Sequence, residues 1–140
     1  MTTIDKTHIE RRVEDWKKRL ADLYASVDAE LSGLSDIRIE KNRSTLMHEE
    51  LMQKYGVSSE RLPILDIYKR NKLAATFKPV GLWVIGANGR VDILTSQGSY
   101  ILVDKAEYGD NPQWFVYSPK NRRTGKPFDS AFIRETLRAV

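Results

Sequence analysis

Ile9, Val13, Trp16, Leu20, Leu23 and Val27 recur at alternating spacings of four and three along the opening of the chain. Only a helix gathers such positions onto one side, so this segment is predicted to form one amphipathic helix with its charges opposite. The spacing predicts a helix over residues 7–32. Thr7-His8-Ile9-Glu10 matches a capping box, and Gly33 offers a left-handed stop. Glu14 with Lys18, and Asp15 with Arg19, are i,i+4 pairs worth about 0.2–0.5 kcal/mol each on an exposed face. Such a helix is about 37 Å long at 1.5 Å per residue. Its two-in-seven stripe is narrower than that of a helix sunk in a globular core. It therefore either lies across the protein's own sheet or docks on a protein partner, a second copy of the chain first among them. Glu30 breaks the pattern after about three heptads, which excludes a long free coiled coil.

The rest of the chain reads as short elements between turn signals. Residues 36–42 alternate around Ile37 and Ile39 and suit an edge strand. Residues 45–55 place Met47, Leu51 and Tyr55 on one helical face, with Gly56 as the stop, and residues 57–61 then form a polar connection. From Leu62 onward apolar runs of four to six residues (64–68, 73–78, 82–85, 90–94, 100–104 and 114–117) are joined by short links. That texture predicts an antiparallel meander of about five strands. Asn88-Gly89 is the residue pair that a type I′ hairpin turn favours. Val91 and Ile93 are expected to share a face with Ile101 and Val103, leaving Leu94 and Leu102 on the other. Residues 128–140 form a closing helix, capped by Asp129 or Ser130 and docked through Phe132, Ile133 and Leu137. The fold class is α+β in a single domain, 1–140: a helical part over about 1–57, then the meander and closing helix over about 62–140.

Composition removes whole classes of chemistry. The chain has 140 residues and no cysteine, so disulfide scaffolds, thiolate metal sites and cysteine nucleophiles are excluded. The longest uncharged apolar run, residues 80–87, is far short of the roughly 20 residues of a spanning helix. MTTIDKTHIERR has no apolar stretch after a basic start, so a cytoplasmic protein is expected. Formal charge is +4 but uneven: residues 1–68 carry net −2 and residues 69–140 net +6. The densest basic segment, Lys120, Arg122, Arg123 and Lys126, lies between prolines and reads as a loop.

The motif search is largely negative. His8 and His48 have no ligand-spaced partner, so no metal site and no cofactor is expected. There is no G-x-S-x-G and no S-x-x-K. Gly125-Lys126 is followed by Pro127, where a Walker loop needs serine or threonine, and no glycine stands five residues before Gly125. Asp92, Asp104 and Glu107 fall near strand ends, as nuclease carboxylates can, but Lys105 directly after Asp104 would face the other way. Val84-Ile85-Gly86-Ala87-Asn88-Gly89-Arg90 resembles the I-G-x-x-G loop of KH domains, which implies a clamp on a nucleic-acid backbone. The strand-like flanks LWVI and RVDIL give the same seven residues a hairpin reading.

No catalytic residue is assigned. The leading expectation is a non-enzymatic interaction module that self-associates or docks a protein partner through Val13, Trp16, Leu20, Leu23 and Val27. The alternative is sequence-tolerant nucleic-acid binding, with Arg90, Lys120, Arg122, Arg123 and Lys126 on phosphates and Trp114 or Tyr117 stacking on bases.

Overall fold

Asp5, not Thr7, caps the long helix: its carboxylate accepts from the His8 backbone N–H at 2.9 Å. The computed structural model describes residues 4–137 and 139. In it α1 runs over Lys6–Leu31, one residue offset from expectation at either end. Gly33 plays no left-handed part, because the helix closes in ordinary geometry with Ser32 N–H donating to Asp28 O at 2.8 Å. Glu14 pairs with Lys17 rather than Lys18.

The buried side of α1 is wider than the sequence pattern. Arg19 and Tyr24 join Ile9, Val13, Trp16, Leu20, Leu23, Val27 and Leu31 beneath the surface, turning a two-in-seven stripe into a full globular face. Both were missed because each has a polar end that the interior must satisfy. The Tyr24 hydroxyl donates to Pro63 O at 2.8 Å, and burial followed by the nearby Asp66 charge pushes its phenol far above the ordinary value. The five residues expected to dock a partner are 0–3 % exposed. Val13, Trp16, Leu20, Leu23 and Val27 are thus occupied by this chain's own sheet and offer no free docking face.

That sheet has seven antiparallel strands: β1 (Ile37–Glu40), β4 (Leu65–Lys69), β5 (Lys72–Val84), β6 (Ala87–Thr95), β7 (Gly98–Asp104), β8 (Trp114–Ser118) and β9 (Asn121–Pro127), in that spatial order. Between β1 and β4 the chain makes an excursion through β2 (Ser44–Met47), the single-turn helix α2 (Glu50–Lys54) and β3 (Glu60–Pro63), with β2 and β3 paired. The fold is α+β as expected, with more strands. The predicted helix over residues 45–55 survives only as α2, because its first part pairs with what was read as a polar connection. Gly56, at φ +69, does end α2.

The runs at 73–78 and 82–85 are one continuous β5 with a bulge between Pro79 and Gly81. The type I′ turn falls at Arg70–Asn71, both with positive φ, while the β5–β6 hairpin turns at Ile85–Gly86. Asn88-Gly89 therefore lies inside β6. Gly89 is required there by close approach: at φ +111, a Cβ would sit 2.2 Å from Trp16 Cζ3. Register also shifts the β6–β7 expectation by one. Val91 faces Leu102 and Ile93 faces Tyr100, on the helix side, while Ile101 and Val103 fall outside with Asp92 and Arg90.

The core lies between α1 and this face of the sheet, with Leu65, Phe77, Leu82, Val91, Ile93 and Leu102 fully buried, each worth about 1.5–3 kcal/mol relative to exposure. The closing segment is shorter than expected: α3 (Ser130–Phe132), capped by Asp129, runs into a π-helical turn over Ile133–Leu137. Ile133 and Leu137 are buried, and Arg134 reaches Glu30 of α1 at 3.9 Å. Residues 138 and 140 of the predicted helix lie outside the described residues. Among the described residues, no helix is long and apolar enough to cross a membrane.

Candidate functional site: an aromatic and basic sheet face

Strand parity decides what β8 presents. Trp114 and Val116 point to the helix side, where Val116 is buried and the Trp114 ring lies 6.2 Å from that of Trp16. Phe115 and Tyr117 consequently point outward, both half-buried. Opposite them on β7, on the same face, stand Val103 and Ile101. Lys105, just beyond β7, lays its ammonium across both rings, 4.8 Å from the Phe115 centroid and 5.4 Å from that of Tyr117. The Tyr117 ring spreads over Gly125 of the neighbouring edge strand, where a Cβ would meet Cζ at 2.7 Å. Any side chain at 125 would lift that ring off the sheet. A shallow depression of about 490 Å³ results, bordered by Ile85, Ile101, Val103, Lys105, Tyr117 and Arg122.

The field of this face is one-sided. Residues 114–127 carry Lys120, Arg122, Arg123 and Lys126 and no carboxylate. Asp92, the acid across from Ile101, is already gripped by Arg90 at 2.8 and 3.2 Å. Arg122 is exposed and donates to Tyr117 O at 3.3 Å, which holds it beside the ring. The arrangement sets two half-buried aromatic side chains under the Lys105 ammonium and among exposed cations, fitting a planar or anionic ligand.

The expected nucleic-acid contacts are brought together only in part. Tyr117 and Arg122 share the depression, and Lys120 and Arg123 are exposed in the adjoining turn and edge strand. The basic segment is mostly strand, not loop. Trp114 is on the wrong face. Arg90 is on the right face but bound by Asp92. Lys126 pairs with Val116 and so emerges on the helix side, in a separate groove of about 510 Å³ beside Tyr100 and Phe132. Phe115 and Lys105 were missed as site residues. The signal for Phe115 was present in the alternation of W-F-V-Y, which forbids Trp114 and Tyr117 from working on one side.

Two of the carboxylates considered for metal-dependent chemistry, Asp92 and Asp104, have other tasks. Asp104 is fully buried: Oδ2 accepts from Arg19 at 2.8 Å, while Oδ1 takes Ala106 N–H and Gln113 N–H and so ties together the base of the loop between β7 and β8. Arg19 also bonds Asp15 and the Asn88 backbone carbonyl. Arg12 joins the knot through Asn88 Oδ1 at 2.9 Å, with Trp83 and Tyr108 against its guanidinium. Burial, then the Arg19 charge beside it, lowers the Arg12 pKa from its ordinary value. Among the described residues no three potential ligands converge on a metal position. The I-G-x-x-G string belongs to the β5–β6 hairpin, not to a loop between helices. Compared with known proteins, the chain matches no family model, no curated protein and no solved structure.

Proposed function

We propose that this chain is a cytoplasmic binding protein that holds single-stranded nucleic acid on the face of β7–β9 turned away from α1. The observation that carries this reading is the outward pair Phe115 and Tyr117, bridged by Lys105 and bordered by cations with no free acid among residues 114–127. Positions two apart on a strand sit about 6.6–6.8 Å apart, within reach of consecutive bases of an extended strand. Lys105, Lys120, Arg122 and Arg123 supply phosphate contacts and the rings supply stacking, which is tolerant of sequence because every base has a π-face.

Fluorescence anisotropy of labelled oligo-dT and oligo-rU tests it. Four phosphate contacts predict a log–log salt slope near −2.8, which weakens binding by about 50-fold between 50 and 200 mM salt. Phe115→Ala and Tyr117→Ala are each expected to lose about 1–3 kcal/mol with little change in that slope, whereas Arg122→Ala lowers the slope. Absence of binding at 50 mM salt refutes the reading.

One observation favours a second reading, a protein partner or second copy on the same face. Ile85 is fully exposed at the hairpin tip beside Ile101 and Val103, and phosphate binding gives such apolar groups nothing to do. Light scattering across micromolar concentrations separates the two, since a dimer lost in Ile85→Asp supports this alternative.

A further inference from the structure

The closing segment lies over the helix side of the sheet beside β8 and β9, and a groove of about 510 Å³ runs between them. That volume falls within the roughly 300–1,000 Å³ of small-ligand sites. The strands supply one wall. Val116 of β8 faces this side, Lys126 of β9 is paired with it, and Tyr100 of β7 stands opposite the buried Ile93. The closing segment supplies the other wall through Asp129, Phe132 and Glu135. Glu135 sits in the π-helical turn, a conformation that is rare overall and recurs at functional sites.

Burial grades the groove from an apolar floor to a charged rim. Val116 is buried, and Tyr100 and Phe132 are half-buried. The Phe132 ring is held in place by Tyr100, edge-on at 5.7 Å, and by Phe128 at 5.4 Å. Lys126, Asp129 and Glu135 are exposed. Asp129 Oδ1 accepts from the Phe132 backbone N–H at 2.9 Å, which fixes that carboxylate at the start of α3. Among the described residues Lys126 makes no ion pair with either carboxylate, although all three line the same groove. Three residues separate Lys126 from Asp129, at most about 10–11 Å between Cα atoms, so one small head group can reach both side chains.

We infer that this groove binds a free amino acid with an aromatic side chain, held as its zwitterion. The ammonium meets Asp129 and Glu135, the carboxylate meets Lys126, and the ring lies against Tyr100, Phe132 and Val116. A simple anion would face two carboxylates and a simple cation would face the lysine. A ligand with both charges on one carbon answers both signs and avoids each repulsion. The groove is lined by none of Lys105, Phe115, Tyr117, Lys120, Arg122 and Arg123, so its occupancy is independent of the nucleic-acid reading.

NMR titration of the intact, isotope-labelled chain with L-phenylalanine tests the assignment. Phenethylamine, which lacks the carboxylate, and hydrocinnamate, which lacks the amine, are the comparison ligands. Saturable shifts are expected at the amides of Thr124, Lys126 and residues 131–136, with each comparison ligand weaker by about two- to fivefold, the scale of an ion pair open to water. In Lys126→Met, L-phenylalanine and phenethylamine should bind alike. In the double variant Asp129→Asn with Glu135→Gln, L-phenylalanine and hydrocinnamate should bind alike. Asparagine caps a helix as well as aspartate does, and all three side chains are exposed, so both variants keep the fold. Four results each overturn the assignment: no saturation up to the solubility of L-phenylalanine, either comparison ligand binding the parent chain as tightly, shifts confined to other parts of the molecule, or discrimination unchanged in either variant.

Discussion

Replacing Arg19 by Met keeps most of the side-chain volume and removes the guanidinium from the most buried ion pair in the fold. Arg19 is 3 % exposed and Asp104 0 %, joined at 2.8 Å. Breaking a buried pair by deleting one partner costs about 3–5 kcal/mol, because the survivor stays charged in a poor dielectric. Asp104 keeps the Ala106 and Gln113 amide donors on Oδ1, which places the loss at the lower end, about 3 kcal/mol. The Asn88 carbonyl and the Asp15 carboxylate lose their Arg19 bonds too, but Asp15 is partly exposed and returns to water. Urea unfolding followed by tryptophan fluorescence reads this well, since Trp16 is wholly buried. With m near 1–3 kcal/mol/M, the midpoint should fall by about 1–3 M. Adding Asp104→Asn removes the stranded charge while retaining an oxygen for the two amides, and should restore roughly 1–2 kcal/mol in a double-mutant cycle. A loss below about 1 kcal/mol for Arg19→Met, with no coupling to Asp104→Asn, refutes the view that this pair is a desolvated unit.

Two further outcomes follow from local geometry. Gly89→Ala combines an unfavourable φ with intrusion on Trp16 and should cost about 2–5 kcal/mol, whereas Gly109→Ala, at φ +94 with nothing within 4 Å, should cost about 1–2; equal melting temperatures for the two variants would contradict the packing term. Asp66 is held below the usual carboxylate range by the Arg43 fork at 2.7 and 2.9 Å, helped by the Thr76 hydroxyl. Its contribution is therefore full above the unfolded-state pKa near 3.9 and lost as pH falls through the lower folded value. Chemical denaturation between pH 5 and pH 2 should show a steeper decline for the parent chain than for Arg43→Met, and parallel profiles would dismiss the linkage.

The long helix and the meander were legible because each rests on a period that burial imposes. What escaped was set by contacts distant in sequence. Residues 45–55 carry helical spacing, yet Ser44–Met47 finds a partner strand in Glu60–Pro63, and that pairing wins over a marginal one-turn helix. Asn88-Gly89 has turn chemistry, yet the glycine serves the Trp16 ring, and the turn moves to Ile85–Gly86. Pro119, Gly125 and Pro127 punctuate the basic segment like a loop, but an edge strand tolerates proline at its end and a glycine beneath an aromatic ring. The outward face of β8 was the most recoverable part of the site, since alternation alone separates Tyr117 and Phe115 from Trp114. Lys105 could not be found that way, because its reach across the rings depends on where the β7–β8 loop begins.

The burial of α1 has a consequence for biosynthesis. The helix leaves the ribosome ahead of every strand that will cover it, and Val116, Ile133 and Leu137 come last. At about 5–20 residues per second, its oily side waits on the order of ten seconds for a lid. Nascent copies on neighbouring ribosomes carry the same naked ridge during that interval, so crowded translation gives it the chance to meet its own kind before its cover arrives.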